Sequence, residues 1–272
     1  MAQMKSRFSS ELRLRLLSAA IAIPVLLAVI WAGGYWVAGA AALAGLIAAY
    51  ELLGLLSQGG RRPLQNEGAA WAAGMAAVAI VNGEWVLMVL GGGGAGALVA
   101  SVAMKRSAES VGSWFFTVIG VAYVGLPMAS IVLMREGDSG LEWLAIALLA
   151  TFATDSGAFA VGKLIGKHKM APNISAGKTW EGAAGGFAAA VGATGGLVII
   201  LDPGSVSLSA GVVLGAGVGV VAQVGDLIES KLKRVANVKD SGRLIPGHGG
   251  LFDRVDSLVL VFPLVYLASR IW

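Results

Sequence analysis

The chain has 272 residues, of which 57% are hydrophobic and 13% charged, and its mean hydropathy is +0.78. Soluble domains carry about 25% charged residues, so this composition excludes an ordinary soluble protein. The net charge of +4 suits anionic lipid headgroups and phosphorylated substrates, and a nucleic-acid partner is not expected in so apolar a chain.

Apolar runs along the whole chain predict membrane-spanning helices. A helix needs roughly 18–25 apolar residues to cross a bilayer. The predicted runs, of which the third and last are short for a full span, are 16–33, 35–56, 69–82, 85–104, 112–134, 141–162, 182–201, 206–225 and 256–271. The predicted fold is therefore all-α, a polytopic membrane protein with about nine transmembrane helices. The 40 glycines predict close helix packing through small residues.

The distribution of basic residues predicts the orientation. Residues 1–15 are polar and basic, as in a signal peptide, but the apolar run that follows is too long for one, which indicates a retained first helix. With the N-terminus in the cytoplasm, nine spans leave only Arg135 and Arg270 of the 20 Lys and Arg residues outside. This asymmetry follows the positive-inside rule. We expect a multi-pass protein of the cell (inner) membrane.

The polar segments divide the chain into two predicted regions. Residues 1–134, with about five spans, have short loops and few charges within the spans, which is typical of a scaffold. Residues 135–272 contain the two longest polar loops, 163–181 and 226–255, both predicted to be cytoplasmic. We expect the catalytic region there.

Two features of the second region carry charge close to an apolar run. Asp155 lies within the sixth run, where a carboxylate is costly unless it faces a wet cavity or a partner. The alternative is a carboxylate that reaches the membrane interface. The Gly-Lys-Thr sequence at 177–179 suggests a P-loop, but that motif needs glycine where Pro172 stands. Ser175, Lys178 and Thr179 instead offer donors and a cation near a helix N-terminus, which suits an anion.

The final polar loop, 226–255, contains the most candidate functional residues. If the eighth helix continues past Asp226, then Asp226, Ser230 and Lys233 or Arg234 share one face. Glu229 and Lys233 form an i, i+4 pair, which we interpret as helix support. Glycines around His248 predict a sharp turn with accessible backbone N–H groups. Asp253 and Asp256 precede the last span, and the alternative for Asp253 is a helix N-cap.

Two blocks of this region resemble the phosphatidate cytidylyltransferase (CDP-diacylglycerol synthase) family of bacterial type. The residues that match its signature are Ser230, Lys233, Arg234, Lys239, Asp240, Gly242, Pro246, His248, Gly249, Gly250, Asp253, Arg254 and Asp256. An earlier block from Asp155 to Gly182 resembles the family's other cytoplasmic motif. The chain departs from the family at Ala176, where proline is usual, and at Phe159, often tyrosine, and neither change removes a charge.

The resemblance implies that CTP and phosphatidate react to give CDP-diacylglycerol and pyrophosphate. Both substrates are anions, so catalysis needs positioning and charge neutralisation. We expect Mg²⁺, with a second cation left open, on Asp226 and Asp253, with Asp155 or Asp256 as a further ligand. The other predicted catalytic or phosphate-binding residues are Lys178, His248, Ser175, Thr179, Lys239, Asp240, Gly249, Gly250 and Arg254. Lys233 and Arg234 are predicted to meet the lipid phosphate. Membrane lipids and a second copy of the chain, as a homodimer, are the further expected partners.

Two other classes remain as alternatives. A transporter or channel would also have many spans and charge within them, but it would collect that charge near the midplane. Another membrane transferase acting on a nucleotide or isoprenoid phosphate is the nearer rival. The Asp-Gly-x-x-Ala-Arg pattern of alcohol phosphotransferases does not occur in the sequence.

Overall fold

The computed structural model describes residues 20, 22–103, 108–242, 244 and 249–272. Helices dominate this part of the chain. In chain order they are α1 (Ala22–Ala32), α2 (Gly34–Gln58), α3 (Gln65–Ala79), α4 (Glu84–Ala103), α5 (Ala108–Arg135), α6 (Gly140–Ile165), α7 (Trp180–Leu201), α8 (Leu208–Val235), α9 (Phe252–Val255) and α10 (Leu258–Ile271). A two-stranded antiparallel hairpin, β1 (Lys169–Ala171) and β2 (Ser175–Thr179), connects α6 to α7.

The helices confirm an all-α membrane protein. By length and composition, five helices in the described residues can cross a membrane: α2, α5 from Val111 onward, α6, α7 and α8. Shorter apolar helices are α1, α4 up to Val99, and α10. Each predicted apolar run coincides with a helix, although the start of the first run lies outside the described residues. The count of nine spans stays a prediction.

The helices pack in two groups that correspond roughly to the two halves of the sequence. The first group is α2, α3 and α5, and the second is α6, α7 and α8, while α10 packs against α5 and α8. Small residues bring the second group into close contact: a Cβ on Gly186 would lie 3.0 Å from the Ala158 Cβ. Such close backbone approach supplies the packing energy of membrane helices, where the hydrophobic effect does not drive association.

Loops predicted for the same side of the membrane lie at the same end of the bundle. At one end, the Arg135 guanidinium donates to the Ile30 and Trp31 carbonyl oxygens at 2.7 and 3.0 Å. At the other, Arg234 Nε donates to the Ile174 carbonyl oxygen at 3.1 Å, which joins the end of α8 to the hairpin. These contacts agree with helices that alternate in direction. The cytoplasmic location of the hairpin end stays a prediction, and the basic N-terminal residues 1–15 lie outside the described part.

Two local features differ from what the apolar pattern predicts. Helix α8 continues past Gly225 to Val235, so Asp226, Glu229 and Lys233 are all helical. The hairpin was not predicted, because its strands have only three and five residues and no apolar alternation. Its end is well defined: the Thr179 hydroxyl accepts the Gly182 N–H at 3.1 Å and caps α7.

Candidate active site

Three carboxylates converge at the hairpin end of the bundle. One ligand oxygen from each of Asp226, Glu229 and Asp256 lies within 4.8 Å of the others. Asp226 and Glu229 are one turn apart on α8, and Asp256 lies between α9 and α10. Carboxylate oxygens are the ligands that Mg²⁺ prefers in proteins. The donor set of this acidic cluster therefore fits a hard divalent cation.

A glycine makes the cluster sterically feasible. A Cβ on Gly225 would collide with the Asp256 carbonyl oxygen. Only glycine at this position lets α8 come so close to the chain that leads into α10. The Asp256 carboxylate is oriented locally, because its Oδ1 accepts the Ser257 N–H at 2.8 Å.

Lys178 reaches the acidic cluster from the hairpin. Its Nζ lies 2.8 Å from Asp226 Oδ2, and the two side chains are 21% and 33% exposed. The ammonium is a close ion-pair partner of the carboxylate but is not aligned for a hydrogen bond, and within the described residues it has no hydrogen-bond partner. A buried ammonium with free donors beside a potential cation site is suited to a phosphate oxygen. The structure thus brings together Lys178 and Asp226, which are predicted to share one site.

The neighbouring hairpin residues have different environments. Thr179 is buried, with its hydroxyl capping α7 and packing near Gly162 and Gly166. Ser175 is half-buried at the start of β2, opposite Ala171. Lys178 and Thr179 belong to a strand that pairs antiparallel with β1, which agrees with the exclusion of a P-loop.

Asp155 is near the acidic cluster but is not part of it. It is exposed on α6, and the charges of Asp226 and Lys178 act on its carboxylate. Within the described residues, the group of three carboxylates that could hold a metal includes Asp256 and not Asp155. Of the two alternatives for a further metal ligand, the geometry favours Asp256.

Asp253 organises the loop that precedes it. Its carboxylate accepts the Ser241 N–H at 2.9 Å, the Gly250 N–H at 2.8 Å and Lys233 Nζ at 3.0 Å. Burial alone would raise the pKa of the Asp253 carboxyl, but hydrogen bonds with Glu229, the two backbone amides and Lys233 hold it well below its usual range. It does not cap a helix, since Leu251 is the N-cap of α9. Its predicted role as a metal ligand is not tested by this arrangement.

The two basic residues predicted to meet the lipid phosphate differ from each other. Lys233 lies between two carboxylates, with Nζ 2.5 Å from Glu229 Oε1 and 3.0 Å from Asp253 Oδ1. Arg234 is exposed at the end of α8 and contacts the hairpin through Ile174. Lys233 therefore connects Asp253 to the acidic cluster, while Arg234 is the more accessible cation.

Two further residues of the predicted phosphate-binding set, Lys239 and Asp240, line an open cavity of about 440 Å³. Lys239, Asp240, Ser241 and Gly242 line it, together with Gln58 from α2. Arg254 is exposed on α9. Gly249 has a φ of 78°, which favours glycine, and a Cβ there would meet Asp253 and Asp240. The N–H of Gly250 is already used by Asp253. His248 lies outside the described residues.

Comparison with known proteins identifies the family. Residues 13–272 match the cytidylyltransferase family. The chain belongs to the cytidylyltransferase family. One relative, named phosphatidate cytidylyltransferase, is from Brucella melitensis and is 43% identical over 136 residues, which are 49% of this chain and 48% of the relative. Another of the same name is from Staphylococcus saprophyticus and is 41% identical over 126 residues, which are 46% of this chain and 48% of the relative. The aligned part of the chain spans about half the length of the curated relatives it matches.

Sequence reasoning missed two residues of this site. The sequence indicates that Glu229 supports the helix, and its predicted pair with Lys233 is present. Its side chain is only 2% exposed, however, and belongs to the acidic cluster. Its spacing of one helical turn from Asp226 could have indicated this. Glu51, on α2, accepts hydrogen bonds from Ser241 and Phe252. A glutamate within an apolar run was the available signal for it.

Proposed function

We propose that the protein transfers the cytidylyl group of CTP to phosphatidate at the cytoplasmic face of the membrane, which gives CDP-diacylglycerol and pyrophosphate. The observation that carries this proposal is the convergence of the acidic cluster and Lys178 at one end of an apolar helix bundle. Membership of the cytidylyltransferase family supports CTP as the donor. The names of the relatives support phosphatidate as the acceptor.

The reaction is an in-line displacement. A phosphate oxygen of the lipid attacks the α-phosphorus of CTP, and the new P–O bond forms as the bond to the bridging oxygen of the β-phosphate breaks. Pyrophosphate leaves with that oxygen and its charge. Since both reactants are anions, the protein's contribution is to hold them in line and to balance their charge.

The acidic cluster is the proposed place for Mg²⁺. Asp226 and Asp256 would bind it, with Glu229 as a third oxygen donor. A bound Mg²⁺ supplies positive charge for the phosphate oxygens. Asp253, whose oxygens already accept three donors, would keep the loop and Lys233 in place. A second cation, if one binds, would lie beside Asp155, a carboxylate on which the charge of Asp226 acts.

The cations around the acidic cluster would divide between the two substrates. Lys178 has free donors and lies beside Asp226, so we assign it to the triphosphate. Lys239 and Arg254 are exposed near the same end and would hold the outer phosphates. Arg234, at the end of α8, would meet the phosphate of the lipid. Thr179 would act only through the position of α7, because its hydroxyl is used as a helix cap.

A direct assay separates this function from its rivals. The purified full chain, in detergent with phosphatidate, is incubated with CTP labelled in the cytosine ring, with Mg²⁺ or with EDTA. We expect a labelled lipid only when CTP, phosphatidate and Mg²⁺ are all present, and none from Asp226→Asn. Labelled lipid formed equally well in EDTA would contradict the metal assignment. A chain that moves phosphatidate or CTP across vesicles without forming the lipid product would instead be a transporter.

A further inference from the structure

A buried carboxylate from the first half of the chain holds the polar loop of the second half. Glu51 lies on α2 and is 9% exposed. Its Oε2 accepts the Phe252 N–H at 2.8 Å and the Ser241 hydroxyl at 3.1 Å. The two partners come 201 and 190 residues later in the sequence. Glu51 therefore fixes Ser241 and Phe252 to the same point on α2.

Two glycines show how closely the loop packs on this carboxylate. A Cβ on Gly242 or on Gly250 would overlap an oxygen of Glu51. Gly242 does not have a positive φ, so its reason to be glycine is this close approach, not backbone conformation. The loop backbone thus lies directly against the Glu51 side chain at two separate positions.

A chain of hydrogen bonds and one ion pair continues from Glu51 to the acidic cluster. Ser241 binds Glu51 through its hydroxyl and Asp253 through its backbone N–H. Asp253 accepts Lys233 Nζ, and Lys233 in turn pairs with Glu229. Glu229 is a member of the acidic cluster. Every link from α2 to the candidate cation ligands is a direct polar contact of at most 3.1 Å.

We propose that Glu51 is a positioning residue for the transferase reaction: it holds Ser241 and Phe252 so that Asp253 and Lys233 keep the acidic cluster in its working geometry. This inference rests on the proposed function. Glu51 does not touch the reacting atoms; it acts through Ser241 and Phe252. Loss of its carboxylate leaves the buried Phe252 N–H without its acceptor, so Ser241 and Phe252 can move away from α2.

The variants are chosen to separate positioning from folding. Glu51→Ala removes the acceptor, Glu51→Gln keeps one amide oxygen, and Ser241→Ala removes one donor. Glu67→Ala, an exposed glutamate on α3, is the matched control. For folded protein purified as a single species, the turnover number, the KM values for CTP and phosphatidate, and the half-saturating Mg²⁺ concentration are measured.

We expect Glu51→Ala to lower kcat at least tenfold and to raise the half-saturating Mg²⁺ concentration, with Glu51→Gln intermediate and Glu67→Ala unchanged. Ser241→Ala should lower kcat less, and Glu51→Ala/Ser241→Ala should be no worse than Glu51→Ala alone, because both changes break one chain of contacts. A Glu51→Ala protein with normal kcat and Mg²⁺ dependence per folded molecule would overturn the inference. So would a loss confined to the yield or melting temperature of the protein.

A second readout does not depend on catalysis. Amide hydrogen exchange is compared between the natural chain and Glu51→Ala in peptides covering 241–252 and, as an internal reference, the hairpin 169–179. Faster exchange in the first peptide alone supports the anchor, and unchanged exchange overturns it. If the natural chain makes no CDP-diacylglycerol, the proposed function fails, and the exchange result still decides whether Glu51 holds the loop.

Discussion

Replacing Lys178 with alanine should weaken CTP use strongly while the protein stays folded. The Lys178 ammonium lies 2.8 Å from Asp226 and has no hydrogen-bond partner among the described residues, so its donors are free for the triphosphate. A hydrogen bond to a charged group contributes about 1.5–3 kcal/mol. At 1.4 kcal/mol for each factor of ten, kcat/KM for CTP should fall about tenfold to a hundredfold. The side chains of the ion pair with Asp226 are partly exposed, so its loss should destabilise the protein less than the loss of a fully buried ion pair.

The assay is a titration of CTP at saturating phosphatidate, repeated over a range of Mg²⁺ concentrations. Lys178→Arg is the matched control, because it keeps the positive charge and should recover part of the lost activity. The half-saturating Mg²⁺ concentration should not rise in Lys178→Ala, since the proposed metal ligands are untouched. An unchanged kcat/KM for CTP, or a loss that appears only as a higher Mg²⁺ requirement, would refute the assignment of Lys178 to the triphosphate.

Three further predictions test the other parts of the site. Asp226→Asn should abolish turnover, and Glu229→Gln should raise the Mg²⁺ requirement, both measured on folded protein, because each removes one carboxyl oxygen from the acidic cluster. Wild-type Mg²⁺ dependence in both variants would place the metal elsewhere. Thr179→Ala should cost about 0.5–2 kcal/mol of stability, because α7 loses its cap, and should leave the Mg²⁺ dependence unchanged. Thr179→Ser is the control. A shift in the Mg²⁺ requirement as large as that of Asp226→Asn would count against this prediction. Cysteines at the exposed positions Asp138 and Asn173 should be labelled from opposite sides of the membrane; labelling from one side would refute the topology.

Those features of the fold that depend on local composition could be predicted from sequence. The apolar runs locate the helices, because a span needs a continuous apolar stretch and this requirement leaves few alternatives. The end of α8 was less predictable. Its last turns carry Asp226, Glu229 and Lys233 and are polar, so the apolar pattern ends at Gly225 while the helix continues to Val235. The hairpin 169–179 was missed, because short strands give almost no periodic signal.

In the site, residues within recognisable motifs could be predicted, whereas contacts between residues far apart in the sequence could not. The family resemblance predicts that Lys178 and Asp226 share a site, and the structure places Lys178 Nζ 2.8 Å from Asp226 Oδ2. Glu51 could not be assigned to that site, because nothing in an apolar run at position 51 specifies a partner 190 residues later. The sequence also could not show that Glu229, and not Asp253, belongs to the acidic cluster. Asp253 is turned toward the backbone N–H groups of Ser241 and Gly250, and the positions of those groups depend on the folded loop.

In the proposed reaction the cytidylyl group, and not the terminal phosphate, passes from CTP to phosphatidate. The most direct measurement uses CTP labelled with ³²P at either the α- or the γ-position, with phosphatidate, Mg²⁺ and the purified full chain. We predict that α-label enters the organic-soluble lipid, while γ-label is released as pyrophosphate and none of it enters the lipid. Entry of γ-label into the lipid, or no transfer of either label by a folded protein, would contradict the account.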